Sequence, residues 1–209
     1  MRRSLSPLLL FASLLFVAGF YVMHYHMGRW QDDVLVFDKG TDLVLVFGLL
    51  FAVYFGMVSR ANGVERERFL TGLGILARGL LIFCLPNLSD DFYRFLWDGH
   101  LQIQGQAALE YLPDEIWKEA LPPVLKDSEF WQTIYRGLNS REYYTVYPPA
   151  LQAVFSLAAR SAGEDIFGMV VVMKLASFGA EGGAVLLLRK LLRHWGRPVK
   201  WALWYTLNP

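Results

Sequence analysis

The chain has 209 residues, 55% of them hydrophobic and 15% aromatic, and its mean hydropathy is +0.31. With 20 Lys and Arg against 19 Asp and Glu the formal net charge is +1, which excludes a global field for nucleic acid or a strongly acidic partner. The apolar excess falls into long runs, which excludes intrinsic disorder and points to a membrane protein; one cysteine and 4 scattered His exclude an internal disulfide and a thiolate metal site.

A bilayer core about 30 Å thick needs roughly 20 apolar helical residues at about 1.5 Å each. The first such run covers residues 5–23 behind Arg2 and Arg3, and it continues through Phe16, Phe20 and Tyr21 into His24-Tyr25-His26. That length and those aromatics read as a retained anchor rather than a cleaved signal peptide. Further runs cover residues 42–58 and 69–85, then a shorter block 149–162, a full-length one 166–188, and a last run from Trp201 that is cut at Pro209. The expected fold is an all-α, polytopic membrane helical bundle with a long outer loop carrying short interfacial helices. Three parts are expected: residues 1–85 with three transmembrane helices, 86–147 as an acidic outer loop, and 148–209 with further membrane helices.

Basic residues beside spans stay in the cytoplasm. Arg2, Arg3, Arg60, Arg66 and Arg68 therefore place the N-terminus inside and the segment after residue 85 outside. Residues 86–147 carry ten acids and five bases, and a loop of that length in a compact protein is usually functional. Two paths fit the later blocks. If residues 149–162 cross fully, Arg189, Lys190, Arg193, Arg197 and Lys200 lie outside, against the charge rule. If they dip in and return along a cavity, that group is cytoplasmic, in agreement with the rule.

The informative stretch is Asn87-Leu-Ser-Asp-Asp-Phe-Tyr-Arg-Phe-Leu-Trp-Asp-Gly-His100. Pro86 ends a span, Asn87 or Ser89 suits a helix N-cap, and Asp90 and Asp91 fall in the first turn, where the helix dipole favours negative charge. Helical spacing puts Asp91, Arg94, Phe95 and Asp98 on one face, and Gly99 suits the left-handed residue that closes a helix. Phe92, Tyr93, Phe95 and Trp97 are residue types of a bilayer interface. Two readings stand side by side. In one, Asp90 and Asp91 cap the helix while Asp98 pairs with Arg94 on the surface. In the other, a carboxylate here is a general base on a substrate hydroxyl, at a boundary where desolvation and a second carboxylate both raise such a group's pKa.

A second constellation is Arg141-Glu-Tyr-Tyr-Thr-Val-Tyr-Pro-Pro149, at the return to the membrane. Pro148 biases Tyr147 towards extended backbone and Pro149 fits a helix start. An aromatic belt accounts for the tyrosines but not for Arg141, Glu142 and Thr145 beside them. The third is Lys174 with Glu181, seven residues apart on one helix face, about 10 Å along the axis. Ionisable groups within a span face a cavity, a partner or a substrate path. A structural ion pair with another helix is the other possibility, and Arg78 is then the expected partner of Glu181.

Ser89-Asp-Asp-Phe-Tyr-Arg-Phe-Leu-Trp-Asp-Gly99 resembles the first outer-loop motif of the GT-C glycosyltransferases, membrane enzymes that take sugars from polyprenyl-phosphate donors. The nearest likeness is to the mannosyltransferases, of the GPI-anchor type and their bacterial relatives. Tyr147-Pro-Pro149 resembles the Tyr-Pro-Pro at the end of that loop, Lys174 and Glu181 match a basic and an acidic position of the next helix, and Leu207-Asn-Pro209 resembles the Leu-Asn-Pro that begins the following one. After Gly105, where the family has Asn-Pro-Tyr, this chain has Gln106-Ala-Ala-Leu-Glu-Tyr111.

The resemblance implies an inverting hexosyltransferase in which Asp91 deprotonates the acceptor hydroxyl with Asp90 and Asp98 beside it. Arg94, Arg141 and Lys174 are then the cations for the lipid-phosphate leaving group, and Tyr147 and Glu181 line the substrate site. It implies a polyprenyl-phosphate-sugar donor, a glycan or glycolipid acceptor, the lipid bilayer and no nucleic acid as partners. No cofactor or metal is required, although paired aspartates are able to bind a divalent ion. The implied place is a multi-pass position in a bacterial inner membrane with the active site on the outer face. The resemblance further implies that these residues are the N-terminal part of a longer enzyme. A non-catalytic module binding lipid-linked substrate is the alternative, with a small transporter weakened by the lack of an internal repeat.

Overall fold

The computed structural model describes residues 7–25, 28–31, 34–37, 40–86 and 89–209. The class is all-α, with one short two-stranded hairpin, β1 (Gly28–Gln31) and β2 (Val34–Phe37), among the described residues. The chain divides into two compact units. One contains Met1–Met27, Phe37–Cys84 and Ser177–Pro209; the other contains Gly28–Val36 and Leu85–Ala176. The second unit thus joins the acidic loop to the segment that follows it, where the sequence separates them at residue 148.

In the first unit, α1 (Pro7–Tyr25) packs on α2 (Gly40–Ser59). After the left-handed Gly63 comes α3 (Val64–Leu80), which breaks into a 3-10 turn, Leu81–Phe83. Phe16, Leu50, Tyr54, Met57, Leu70 and Leu203 fill the core between them. The expected span at residues 69–85 is therefore not one continuous apolar helix. It starts earlier, within the charged turn Glu65-Arg-Glu-Arg68, and its regular part ends at Leu80. Two ion pairs tie α3 to the later part of the chain. Arg78 Nε lies 3.1 Å from Glu181 Oε2, which is the pairing expected, and Arg189 Nη1 lies 2.5 Å from Glu67 Oε1. Arg78 also donates to the carbonyls of Tyr205, Thr206 and Asn208. The run from Trp201 forms a 3-10 turn, Val199–Ala202, and a single helical turn, α10 (Leu203–Thr206), with Leu203 and Leu207 in the core. Outward, Leu8, Phe11, Leu14, Val44, Leu45 and Leu49 are each more than half exposed.

In the second unit α4 (Phe92–Ile103) is followed by α5 (Pro113–Glu115), which runs on as a π turn, Ile116–Ala120, and by the short α6 (Pro123–Lys126). Then come α7 (Glu129–Gly137) and α8 (Pro149–Ala162), which Pro149 starts and the left-handed Gly163 closes. Trp97, Trp131, Leu96, Ile134 and Ala158 are almost wholly enclosed, with Phe155 beside them. Helices α4 and α8 approach backbone to backbone at Gly99, where a Cβ would overlap the Phe155 carbonyl. Gly99 therefore does not close a helix as its sequence context suggests; α4 continues to Ile103, and Gly105 takes the left-handed conformation instead. Helix α8, the block with two possible paths, has 14 residues, hence about 21 Å of length, and buries Gln152, Phe155, Ala158 and Ala159.

Helix α9 (Ile166–His194) is continuous across the division, with residues 166–176 in the second unit and Ser177–His194 in the first. Its 29 residues reach about 44 Å, beyond the roughly 30 Å of a hydrocarbon core. Among the described residues it is the one helix long and apolar enough to cross a membrane, with Pro7–Gly19 and Val44–Ser59 as shorter apolar helices.

Candidate active site at the head of helix α4

The peptide enters α4 through a tight serine turn in which Ser89 Oγ accepts the Asp91 N–H at 3.2 Å. Asn87, the other expected cap, lies outside the described residues. The Asp90 and Asp91 carbonyls then accept the N–H groups of Tyr93 and Arg94 at 3.1 and 2.9 Å, so both acids sit in the opening turn, as their position before an apolar run predicts. Asp91 is exposed and Asp90 partly so. One side chain holds both: the Asn139 amide donates to Asp90 Oδ1 at 2.6 Å and to Asp91 Oδ1 at 3.2 Å. Asn139 stands just beyond the C-terminus of α7, where Gly137 allows the Tyr93 ring of α4 to lie against the α7 backbone.

One turn further along α4 the same residue types have another task. Arg94 is 3% exposed and Asp98 0%. Arg94 Nε lies 2.7 Å from Asp98 Oδ1, and Arg94 Nη1 donates to the carbonyls of Ser140 and Tyr143 at 3.1 and 2.8 Å. Asp98 Oδ2 accepts from Gln152 Nε2 of α8 at 2.8 Å, and that amide also reaches Thr145 Oγ1 at 3.1 Å. Gln102 of α4 completes the set, 2.5 Å from Gln152 Oε1. This enclosed network pins residues 140–145, the strand of loop next to Asn139, onto α4 and α8. It accounts for Thr145, whose presence among the tyrosines an aromatic belt leaves unexplained.

These positions correct two expectations. Asp98 is not on the surface beside Asp90 and Asp91; it is fully enclosed and both its oxygens are bound inside the unit. Arg94, expected as a cation for a leaving phosphate, is spent on one carboxylate and two carbonyls. The other expected residues are distributed as follows. Tyr147 packs edge-on against Phe95 and Phe155, with ring centroids 4.8 and 5.7 Å away. Burial raises its phenol pKa above the ordinary value, with the negative charges of Asp91 and Asp98 adding to the rise and Arg94 opposing it. Tyr147 thus stays a neutral hydroxyl within the field of Asp91. Arg141 lies over the Tyr135 ring at 4.7 Å and donates to the Arg136 carbonyl at 2.7 Å. Tyr135 in turn donates to Asp114 at 2.6 Å, and its pKa is pushed up to about 12, first by burial and then by that bond. Lys174 is half-buried on the part of α9 that belongs to this unit, whereas Glu181 belongs to the other unit and is paired with Arg78.

Asn139, Gln102 and Gln152 have no place in the sequence reading. Gln102 extends the spacing Arg94, Asp98, Gln102 along one helix face, a signal open to inspection. Nothing in the sequence marks Asn139 or Gln152, which act across elements. Among the described residues no group of three or more His, Cys, Asp or Glu is arranged to hold a metal, so Asp90 and Asp91 stand as a pair without a third carboxylate.

No family model, curated protein or solved structure matches the chain. The site's chemistry therefore rests on its own geometry: two adjacent carboxylates at a helix head, both accepting from one neutral amide, with Asp91 exposed and an enclosed polar network one turn further along.

Proposed function

We propose that the chain acts in a multi-pass membrane glycosyltransferase and activates the acceptor. It would move a hexose, by resemblance mannose, from a polyprenyl-phosphate donor to a glycan or glycolipid hydroxyl on the outer face of a bacterial inner membrane. Asp91 takes the proton of the acceptor hydroxyl as its oxygen attacks the anomeric carbon. The bond from that carbon to the phosphate oxygen breaks, polyprenyl phosphate departs with the electron pair, and the configuration inverts. The observation that carries this reading is the exposed Asp91 carboxylate held at the head of α4 by Asn139. Arg141 and Lys174 are expected cations that share a compact unit with Asp91, and they are the candidates to offset charge on the departing phosphate. Helices α1, α2 and α9 supply the apolar surfaces for the membrane, with the basic segment at residues 60–68 on the cytoplasmic side.

The test is sugar transfer from a polyprenyl-phosphate-mannose donor in membranes carrying the protein with Asp91→Asn. Transfer should fall by about a hundredfold or more, the upper part of what one general base contributes, with the thermal midpoint unchanged. Retention of activity in that variant rejects Asp91 as the base.

A further inference from the structure

The mechanism proposed for α4 uses nothing at the opposite end of the sequence, yet the first unit contains a cavity of its own. A cleft of about 310 Å³ opens between α1 and α2. Leu8, Phe11 and Ala12 wall it on one side, Val53 and Gly56 on the other, and Arg60 and Arg66 line it as well. The volume is at the lower end of ligand pockets, roughly 300–1,000 Å³. Arg60 lies one helical turn beyond Gly56, so the cationic residues gather where α2 ends and α3 begins, and the rest of the wall is apolar.

Among the described residues no acid is paired with either guanidinium group. Arg60 Nη1 donates to the Gly56 carbonyl at 3.2 Å and Arg66 Nη1 to the Arg60 carbonyl at 3.4 Å, and neither is in an ion pair among the described residues. Glu67, the nearby acid on α3, is bound by Arg189 at 2.5 Å. Glu65 is exposed. Around the cleft the surface is apolar, with Leu8 65% and Phe11 59% exposed. A soluble anion would find two cations but no partner for the apolar wall, and a neutral lipid would leave the cations unmatched. An amphiphile with one apolar chain and one anionic head satisfies both.

We propose that this cleft binds an anionic phospholipid, an acyl chain lying between α1 and α2 and the phosphate taken by Arg60 and Arg66. Guanidinium groups suit the task because they bind phosphate oxygens in a forked geometry and remain charged at all relevant pH. The site is separate from Asp91 and rests on the reading that α1 and α2 lie in a bilayer. By the distribution of basic residues it draws from the cytoplasmic leaflet.

The experiment uses the full chain, stripped of lipid in detergent, with bound lipid counted by native mass spectrometry and the thermal midpoint followed in parallel. Phosphatidylglycerol should bind and raise the midpoint, whereas phosphatidylcholine of the same chain length and inorganic phosphate should do neither. Arg60→Gln with Arg66→Gln should weaken phosphatidylglycerol by about tenfold, as should Ala12→Phe, which fills the apolar wall and keeps both cations. Arg193→Gln, a basic change outside the cleft, should leave it unaltered. Equal binding by the Arg60 and Arg66 double variant, an equal response to phosphatidylcholine, or a midpoint shift with phosphate alone overturns the proposal. Insertion of every variant into phosphatidylcholine vesicles, with that selectivity lost, rejects the lipid site alone. Failure of the unaltered chain to insert rejects the membrane reading with it.

Discussion

The first turn of α4 and the turn after it make opposite uses of aspartate. Asp91 is exposed and Asp90 partly so, and the two share one neutral amide. Asp98 is enclosed, and both its oxygens are bound, one by a cation and one by an amide. Removing either member of a buried pair leaves the other without compensation in the interior, which is expensive, whereas an exposed carboxylate carries no such penalty. Seven residues of helix thus separate an exposed carboxylate from an enclosed one. Residue type is common to both; enclosure divides them.

The largest expected effect breaks the inner half. Asp98→Ala leaves Arg94 buried without its carboxylate and Gln152 without its acceptor, and should destabilise the protein by about 3–5 kcal/mol. Asp91→Asn, at an exposed position with a neutral partner, should alter stability by no more than about 0.5 kcal/mol while removing transfer. Thermal or chaotrope unfolding of the two variants in one detergent measures both. Equal destabilisation would abolish the distinction. A smaller effect sharpens it from the packing side. Gly99→Ala pushes a methyl group against the Phe155 backbone, which cannot rotate away as a side chain could, and should cost about 1–3 kcal/mol. A neutral outcome would mean that α8 slides freely on α4 and that the polar network is not held by this contact.

Much of this was legible in the sequence where the physics is local. The opening turn at Asp90 and Asp91 follows from their place before an apolar amphipathic run, and the Arg78–Glu181 pair follows from the cost of an unmatched charge within an apolar helix. The resemblance drew attention to Asp91 but attached Asp98 and Arg94 to the same surface, since spacing along one helix reveals a shared face and not which face is covered. That is decided by α8, a partner 50 residues away, and by the carbonyls of Ser140 and Tyr143. Gly99 shows the same limit. A glycine near a helix end and a glycine at a helix crossing look alike until the crossing partner, here Phe155, is known. The run at residues 69–85 was misplaced for a different reason. Apolar residues continue past Leu80, but the helix begins in the charged turn before Phe69, whose Glu67 is matched by Arg189 from far along the chain.

The smallest expected effect concerns the last buried polar group of α4. His100 is 4% exposed, packed against Phe130 and Trp131 with centroids 4.4 and 5.7 Å away, and its Nε2 lies 3.0 Å from the Gly163 carbonyl that closes α8. Burial lowers its pKa below the ordinary 6.5, while the Gly163 bond and the Glu164 charge pull the other way. The folded protein therefore holds the neutral ring, donating from Nε2. As the pH falls through 6.5 the unfolded chain takes up a proton that the folded one still refuses, so stability is full above 6.5 and is lost progressively down to the lower folded value. Thermal midpoints between about pH 5.5 and 7.5, where histidine is the ordinary side chain that titrates, should decline on the acid side for the unaltered chain. His100→Gln keeps a donor for Gly163 and has no proton to gain, so its curve should be flatter across the same window. Parallel curves for the two would show that the imidazole is not kept neutral, and that the interior of α4 is less closed to charge than the Arg94–Asp98 pair requires.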